Sequence, residues 1–440
     1  MFMGLVGSEM CIRDSRYTCP PKNLRGKRQI RLMRPNSIKS LDSSLFLEDV
    51  SLLDIAKKYP TPFYIYSKEM ILTAIDSYLT NIRERDLVCY SVKANSNLAI
   101  LKIMAEKGMG FDVVSGGELF KVLKIGADPQ KIIYSGVGKT KPELEYAVDN
   151  DIKSINIESL FELELLNQIG KEKNKVINTG IRVNPDIDAK SHPYIETGKA
   201  DCKFGLSIDD AKRIADASHD GVLISGISAH IGSQITDDEL FGTLFNDLKN
   251  LSEFFISKGH PIDHIDVGGG LAIDYDFQES FSPELMTKKV IDMAGDISIF
   301  FEPGRSLIGQ AGSLVTEVLG VKINGKNKFL IVDAGMNDLI RPALYQANHK
   351  IEAISASSES PEKHYVVGPV CETADSFGEF SISAQEHDHL VIYSVGAYGY
   401  SMASNYNSRL RAAEYLVDGS EIIEIRKAES YEDLIKLEQY

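Results

Sequence analysis

The run DLVCYSVKANSNLAILKIMAEKGMGFDVVSGGELFKVLKIGADPQKIIYS, residues 86–135, decides the fold. It contains three short apolar runs, at Leu87–Val92, Phe111–Val114 and Lys131–Tyr134, and a helical pattern fills each of the two gaps. The apolar runs are continuous rather than alternating, which is typical of parallel strands buried on both faces. The stretch therefore predicts consecutive strand–helix units of a parallel α/β fold.

The same alternation continues to about residue 301. Five more strands are predicted, at Ser154–Ile157, Val176–Val183, Val222–His230, His264–Val267 and Ile297–Phe301. Eight strand–helix units match a (β/α)₈ barrel better than an open doubly wound sheet. We therefore assign residues 66–311 to a (β/α)₈ barrel, and residues 40–65 to an N-terminal segment that packs on a second domain.

Local signals predict where several of the helices begin and end. Three hydroxyl–carboxylate pairs are predicted capping boxes, in which both side chains accept hydrogen bonds from backbone N–H groups: Ser115 with Glu118, Thr140 with Glu143, and Ser159 with Glu162. Three glycines are predicted to follow helix ends: Gly108, Gly126 and Gly170.

After about Gly312 the pattern changes to short β-rich runs separated by polar or glycine-containing segments. The runs are Leu314–Val321, Lys328–Val332, Tyr365–Val370, Leu390–Val395 and Glu421–Arg426. This spacing predicts a C-terminal antiparallel β domain over residues 312–440.

Composition excludes several classes of protein. The 440 residues include 48 Lys and Arg against 63 Asp and Glu, a formal net charge of −15, which argues against a nucleic-acid-binding protein. No run approaches the ~20 apolar residues of a membrane helix. The five cysteines are widely spaced and form no CxxC pair: Cys11, Cys19, Cys89, Cys202 and Cys371. They predict free thiols, a cytoplasmic location and no metal site.

The charge is unevenly distributed along the chain. Residues 1–39 hold nine Lys and Arg and two acidic residues, whereas the remaining 401 residues hold 39 and 61. We interpret residues 1–39 as a disordered or non-native leader, with a targeting peptide as the alternative.

Residues capable of chemistry fall at the predicted strand ends. Lys93 follows the first strand, Asp112 lies in the second, His230 ends the sixth, Gly268–Gly270 follow the seventh and Glu302–Arg305 follow the eighth. Each has an ordinary structural explanation, such as an ion pair, a buried core histidine or a tight turn. However, active sites of (β/α)₈ barrels lie at the carboxyl ends of the strands. An amine, a histidine, a carboxylate and two potential anion-binding loops at one mouth match the needs of pyridoxal phosphate.

Two other motifs carry no functional prediction. Gly136–Thr140, GVGKT, is similar to part of a phosphate-binding loop, but the glycine required five residues before Gly138 is Ile133. His387 and His389 form an HxH pair without a third ligand at a matching spacing.

Nine ordered blocks of the sequence resemble the diaminopimelate decarboxylases, a branch of the alanine-racemase-like class of pyridoxal-phosphate enzymes. The blocks are YSVKAN (90–95), GFDVVSGGEL (110–119), HPYIETG with KFG (192–205), HIGSQ (230–234), DVGGGL (266–271), EPGR (302–305), DAGMNDLIRPALY (333–345), GPVCET (368–373) and GAYGYSMASNYNSR (396–409). Ser91 and Thr373 depart from common residues of the family, and we expect them to affect packing only.

The resemblance implies roles for individual residues. Lys93 would bind the cofactor aldehyde, with Asp112 beside it, His230 would stack on the cofactor ring, and Glu302 would face the pyridine nitrogen. The phosphate region would be served by Ser233, Gly268, Gly269, Gly270, Gly304, Arg305 and Tyr398. The substrate would be held by Arg305, Arg341, Tyr345, Glu372 and Tyr398. Cys371 would return a proton to the substrate carbon.

The resemblance also implies an amino-acid substrate and a homodimer with shared active sites, because Cys371 and Glu372 of this class reach the partner's cofactor. Diaminopimelate has a second carboxylate for which arginines are needed, so Arg341 favours it over ornithine or arginine as the substrate. A non-catalytic regulatory relative is the other alternative, but Lys93, His230, Glu302 and Cys371 are all present.

Overall fold

The computed structural model of the chain describes residues 35–41, 44–185, 187, 202–355 and 360–439. Most of the predicted leader, with Cys11 and Cys19, and the HPYIETG block lie outside the described residues. The described chain begins with short elements: β1 (Ile38–Leu41), β2 (Ser44–Leu47), β3 (Val50–Ser51), α1 (Leu52–Lys58) and β4 (Phe63–Ser67). Strand β1 therefore starts within the last residues of the predicted leader, and the predicted boundary between residues 65 and 66 falls inside β4.

Eight parallel strands close into a barrel. They are β5 (Leu87–Ser91), β6 (Gly110–Val113), β7 (Ile132–Tyr134), β8 (Ser154–Ile157), β9 (Ile177–Arg182), β10 (Val222–Ser228), β11 (His264–Asp266) and β12 (Ser298–Phe301). Each pairs with the next in sequence, and β12 closes the barrel on β5. All eight predicted strands are present, so the predicted barrel is confirmed.

Helices precede and separate the barrel strands. They are α2 (Lys68–Leu79), α3 (Leu98–Glu106), α4 (Gly116–Lys124), α5 (Lys141–Asp149), α6 (Leu160–Lys173), α7 (Ile208–Ala215), α8 (Glu239–Ser257), α9 (Pro283–Ala294) and the short α10 (Arg305–Ile308). None of the helices in the described residues has the length and apolarity needed to cross a membrane.

The predicted capping boxes are only partly correct. Thr140 and Glu143 form the complete reciprocal arrangement. Ser115 and Ser159 also accept from the backbone three residues on, but the partner carboxylates of Glu118 and Glu162 accept from the residue before each cap. Both serine caps have φ of −156°, against −80° for Thr140. This more extended backbone brings the preceding N–H, rather than that of the cap, to the carboxylate.

Two of the three predicted helix-ending glycines are confirmed. Gly108 and Gly126 have φ of 81° and 79°, the left-handed region that glycine adopts without strain. The prediction for Gly170 is wrong, because α6 continues to Lys173 and ends at Asn174. A Cβ at Gly170 would lie 2.2 Å from the carbonyl oxygen of Gly221, so this glycine permits close packing instead.

The C-terminal part forms a mixed sheet. Its elements are β13 (Gly312–Asn324), β14 (Asn327–Val332), α11 (Arg341–Tyr345), β15 (Ile351–Ala353), β16 (Glu362–Val367), β17 (Ser376–Ile382), β18 (His389–Ile392), β19 (Ala413–Asp418), β20 (Glu421–Arg426) and α12 (Tyr431–Ile435). The five predicted strands are present. The pairs β14–β16 and β4–β19 are parallel, whereas we predicted an antiparallel domain. The difference arises because β4 enters from the N-terminal side and a long connection separates β14 from β16.

Strand β4 joins this sheet to the barrel mouth. It lies between β13 and β19, and its Tyr66 hydroxyl donates to Glu414 at 2.7 Å. Asn95, just after β5, donates to the same hydroxyl at 3.0 Å. These contacts fix the position of the loop that carries Lys93.

Candidate active site at the barrel mouth

Lys93 lies in a single helical turn directly after β5 and faces a buried carboxylate. Its Nζ is 3.2 Å from Oδ2 of Asp112, which lies in β6. Burial lowers the pKa of the Lys93 ammonium, but the negative charges of Asp112 and Glu302, with Tyr398, outweigh that effect and raise it above its usual value. The amine is therefore held as a cation, with Asp112 as its counter-charge.

Ser91 also contacts this pair. Its hydroxyl lies 2.9 Å from Asp112 Oδ2 and 2.9 Å from the carbonyl oxygen of Glu302. We expected Ser91 to affect packing only, and that expectation is wrong. The side chain of the residue two before the lysine points toward Asp112 in the neighbouring strand.

Glu302 and Asp266 are two neighbouring buried carboxyl groups, at the ends of β12 and β11. Burial, with the negative charges of Asp112 and Asp266, raises the pKa of Glu302 well above its usual value. Burial also raises the pKa of Asp266 to about 6. Two neighbouring buried acids do not readily ionise together, so this pair favours holding a proton.

His230 is a neutral ring beside this cluster. Its Nδ1 accepts a hydrogen bond from the N–H of Gly269 at 3.2 Å. Burial, reinforced by the positive charges of Lys93 and Arg182, lowers the pKa of His230 well below its usual value. The proton of the imidazole therefore lies on Nε2, and the ring is a flat, uncharged surface.

The glycine loop shapes the site more than it supplies donors. The N–H groups of Gly268 and Gly269 donate to Asp266 and His230. A Cβ at Gly269 would lie 2.0 Å from the carbonyl oxygen of Glu302, so no larger residue fits. Three other N–H groups, those of Gly270, Gly304 and Arg305 in the loops after β11 and β12, donate to no acceptor among the described residues. These three donors are suited to an anion.

The side chain of Arg305 connects the two sides of the mouth. It donates to the Ser233 hydroxyl at 3.0 Å and to the Tyr275 hydroxyl at 2.7 Å, and it stacks on the Tyr398 ring at 4.8 Å. Its Nε is buried and has no partner within the described part of the chain. The salt bridge between Glu302 and Arg305 that their spacing allowed does not form.

Arg341 extends the same cluster from the C-terminal sheet. It is the first residue of α11 and only 5% exposed. It donates to the Tyr275 hydroxyl at 3.0 Å and lies 5.7 Å from the Tyr345 ring. Arg305 and Arg341 therefore converge on one phenol, which was not among the predicted site residues.

Cys371 and Glu372 lie apart from these residues. Both are exposed; the Cys371 N–H donates to Asn407 at 3.0 Å, and Glu372 accepts from the Tyr406 hydroxyl. Among the described residues, neither has a hydrogen bond or ion pair with the Lys93, Glu302 or Arg305 clusters. The structure thus assembles every predicted site residue except these two.

Comparison with known proteins places the chain in a family. A family profile described as "Pyridoxal-dependent decarboxylase, pyridoxal binding domain" matches residues 69–309. The diaminopimelate decarboxylase of Neisseria meningitidis serogroup A is 44% identical over 397 residues, which cover 88% of this chain and 97% of that protein. The chain belongs to the diaminopimelate decarboxylase family. The diaminopimelate decarboxylase of Aquifex aeolicus is 40% identical over 90% of this chain and 96% of its own length.

Solved structures agree with this placement. Diaminopimelate decarboxylase from Helicobacter pylori, complexed with L-lysine, superposes with a TM-score of 0.83 at 38% identity, covering 88% of this chain and 98% of that one. The enzyme from M. jannaschii, also with L-lysine, gives 0.87 at 33%, covering 93% and 99%. The predicted family, its decarboxylase activity and its pyridoxal phosphate cofactor are confirmed.

The residues present fit that cofactor. The cluster offers a lysine amine, a flat neutral imidazole, a buried carboxyl pair and three N–H donors without protein acceptors. These match an aldehyde, an aromatic ring, a ring nitrogen and a phosphate. Ser91, Asp266, Tyr275 and Arg182 also belong to the cluster. The sequence analysis gave none of them a role in the site, although Ser91 and Asp266 lie in quoted motifs, because each acts through a neighbouring residue.

Proposed function

We propose that the protein decarboxylates meso-2,6-diaminopimelate to L-lysine and CO₂, the final step of lysine biosynthesis. The observation that carries this proposal is the convergence of Arg305 and Arg341 near Lys93. Both are at least nine-tenths buried, and within the described residues neither is paired with an Asp or Glu. Two buried cations without a partner favour a substrate with a second carboxylate.

Pyridoxal phosphate supplies an aldehyde and a protonated pyridine ring, which takes up the electron pair released when a Cα–carboxylate bond breaks. Lys93 would hold the cofactor at its aldehyde carbon through the side-chain amine, with Asp112 beside it to stabilise the ammonium form. Glu302 would hold the pyridine nitrogen, and the neutral imidazole of His230 would offer a flat surface to the ring.

Anion binding is divided between two neighbouring places. The N–H groups of Gly270, Gly304 and Arg305, with the hydroxyls of Ser233 and Tyr398, would hold the phosphate. The guanidinium groups of Arg305 and Arg341, with Tyr345, would hold the carboxylate of the substrate end that does not react. Gly268 and Gly269 allow the backbone to approach closely and orient Asp266 and His230.

We further propose a homodimer in which Cys371 and Glu372 complete the active site of the partner. Both are exposed and separate from their own chain's Lys93 cluster. Exposed apolar side chains lie at or near the first turn of helices that begin at the barrel mouth: Leu98, Phe120, Leu160 and Phe161. A partner covering this rim would bury them and bring its Cys371 thiol to the reacting carbon, where it delivers the proton, and its Glu372 to the substrate ammonium.

Cys89 and Cys371 are free thiols, which supports a reducing, cytoplasmic compartment.

An absorbance spectrum of the purified protein tests the proposal. The lysine-bound cofactor absorbs in the visible, and borohydride should fix it to Lys93. Release of lysine from diaminopimelate should exceed turnover of ornithine or arginine. A colourless protein that stays inactive with added pyridoxal phosphate, or one that prefers ornithine, would contradict the proposal.

A further inference from the structure

Tyr275 has an unusual hydrogen-bonding position between two buried arginines. Its hydroxyl oxygen lies 2.7 Å from Nη1 of Arg305 and 3.0 Å from Nη2 of Arg341. A guanidinium only donates, so the phenol oxygen accepts in both contacts. Its own O–H can be donated to neither arginine. Among the described residues no other acceptor meets it.

Further donors at the same place lack partners. Nε of Arg305 is buried and donates to no described residue. Nη1 of Arg341 also has no hydrogen-bond acceptor in the part of the chain that the structure describes. Two positive charges and three unmet N–H or O–H donors thus lie on three side chains that contact one another. A carboxylate, with two oxygens and about four lone pairs, satisfies such a set.

A neutral histidine, His349, accepts a hydrogen bond from Arg341. Nδ1 of His349 lies 2.9 Å from the carbonyl oxygen of Tyr393 and donates to it, so Nε2 is free to accept from Arg341 Nε at 3.4 Å. Burial lowers the pKa of His349 to about 3, so the ring stays neutral. It orients Arg341 without cancelling its charge, and its ring packs edge to face with that of Tyr275, with centroids 4.9 Å apart.

The loop that carries Tyr275 is held on both sides. Ile273 exchanges hydrogen bonds of 3.0 Å with the side-chain amide of Gln234. The Asp274 carboxylate accepts backbone N–H groups farther along the loop, including that of Glu279 at 2.6 Å. Phe277 is 1% exposed and packs on Tyr393. The phenol is therefore placed before any ligand arrives, which lowers the entropy cost of binding.

We propose that Tyr275 is a specificity-determining residue that joins Arg305 and Arg341 into one carboxylate site and donates its O–H to the non-reacting carboxylate of the substrate. This inference rests on the proposed function. An amino acid without the second carboxylate leaves the three donors and two charges unpaired and is rejected for that reason.

The variant Tyr275→Phe tests the inference, because it removes the hydroxyl and keeps the ring against His349. L-Lysine and cadaverine serve as competitive inhibitors. Lysine retains the non-reacting carboxylate and cadaverine lacks it, so comparing the two isolates the contribution of that carboxylate. We expect the inhibition constant of lysine and the KM of diaminopimelate to rise about 10- to 100-fold, as expected for a lost charge-assisted hydrogen bond. The inhibition constant of cadaverine and kcat should change less than about threefold, within ordinary mutational variation.

The control is Tyr365→Phe, which removes a phenol on β16 outside the site and should leave both inhibition constants unchanged. An unchanged lysine constant in Tyr275→Phe would overturn the inference. Equal weakening of lysine and cadaverine, or loss of the visible absorbance of the bound cofactor, would also overturn it, since either would mean that Tyr275 supports the fold. Failure of the proposed function is distinguishable, because wild-type protein would then neither decarboxylate diaminopimelate nor bind lysine.

Discussion

Replacing Lys139 with methionine should destabilise the protein more than the same replacement of a surface lysine. Lys139 belongs to the GVGKT segment, and the structure shows it as one half of a buried ion pair with Glu162, at 2.9 Å and with each side chain 1% exposed. Its Nζ also donates to the carbonyl oxygen of Gly136 at 2.5 Å. The lysine that resembled a phosphate ligand is thus part of a buried ion pair between the β7–α5 loop and α6.

The expected magnitude follows from burial and distance. At an effective dielectric constant of about 20, two charges this close attract by roughly 6 kcal/mol, which is an upper bound. Removing one partner leaves the other as an uncompensated buried charge, at a cost of about 3–5 kcal/mol. The double variant Lys139→Met with Glu162→Gln keeps an oxygen to accept the N–H of Glu158 and leaves no charge, so we expect it to lose less than about 2 kcal/mol.

Equilibrium urea unfolding measures both variants. Tyrosine fluorescence and circular dichroism report the transition, since the chain has no tryptophan. Lys141→Met is the matched control, because Lys141 is 41% exposed and pairs with Glu172 on the surface. Its free energy of unfolding should stay close to that of wild type. A single variant within 1 kcal/mol of wild type, or a double variant as unstable as Lys139→Met, would refute the reasoning.

Three other changes test separate parts of the structure. Cys371→Ala should slow turnover and leave the visible absorbance of the lysine-bound cofactor intact; loss of that absorbance would show a structural role. Burial raises the pKa of Asp338 to about 7 from 3.8, so the folded protein holds a proton that the unfolded chain has released, and stability should fall as the pH rises from about 4 to 7. Asp338→Asn should remove that decline and be more stable than wild type at pH 8 by up to about 4 kcal/mol. Urea titrations at about pH 4 and pH 8 measure the difference, and an unchanged pH profile would contradict the prediction. Gly170→Ala should cost about 1–3 kcal/mol through its clash with Gly221, whereas Gly117→Ala, whose nearest contact is 3.8 Å away, should be neutral or stabilising in the same assay.

The barrel was predictable because its strands are apolar along their whole length. Strand β4, by contrast, follows Pro60 and Pro62 in the segment that we predicted only to pack on the second domain. Its neighbours in the sheet are far away in sequence. Strand β19 contains Glu414, which is fully buried and pairs with Arg426, so its charge concealed a central strand. Local pattern cannot report pairing of this kind.

The same limit applies to the site. Lys93, His230, Glu302 and Arg341 stand in recognisable motifs, and the structure brings them to one mouth. Tyr275 has no motif, and its position depends on arginines 30 and 66 residues farther along the chain. The N–H groups of the glycine loop were predicted to bind phosphate, yet two of the three are used within the protein. Only the folded arrangement decides which donors remain for a ligand.

The central place of β4 has a consequence for synthesis of the chain. Its five residues are fully buried between β13 and β19, at residues 312–315 and 413–417. A ribosome adding about 5–20 residues per second releases β19 roughly 20–70 s after β4. The whole barrel precedes β13 in the sequence, so it can form while β4 still lacks both of its neighbouring strands. A fragment that ends with the pyridoxal-binding region, at residue 309, would never cover it.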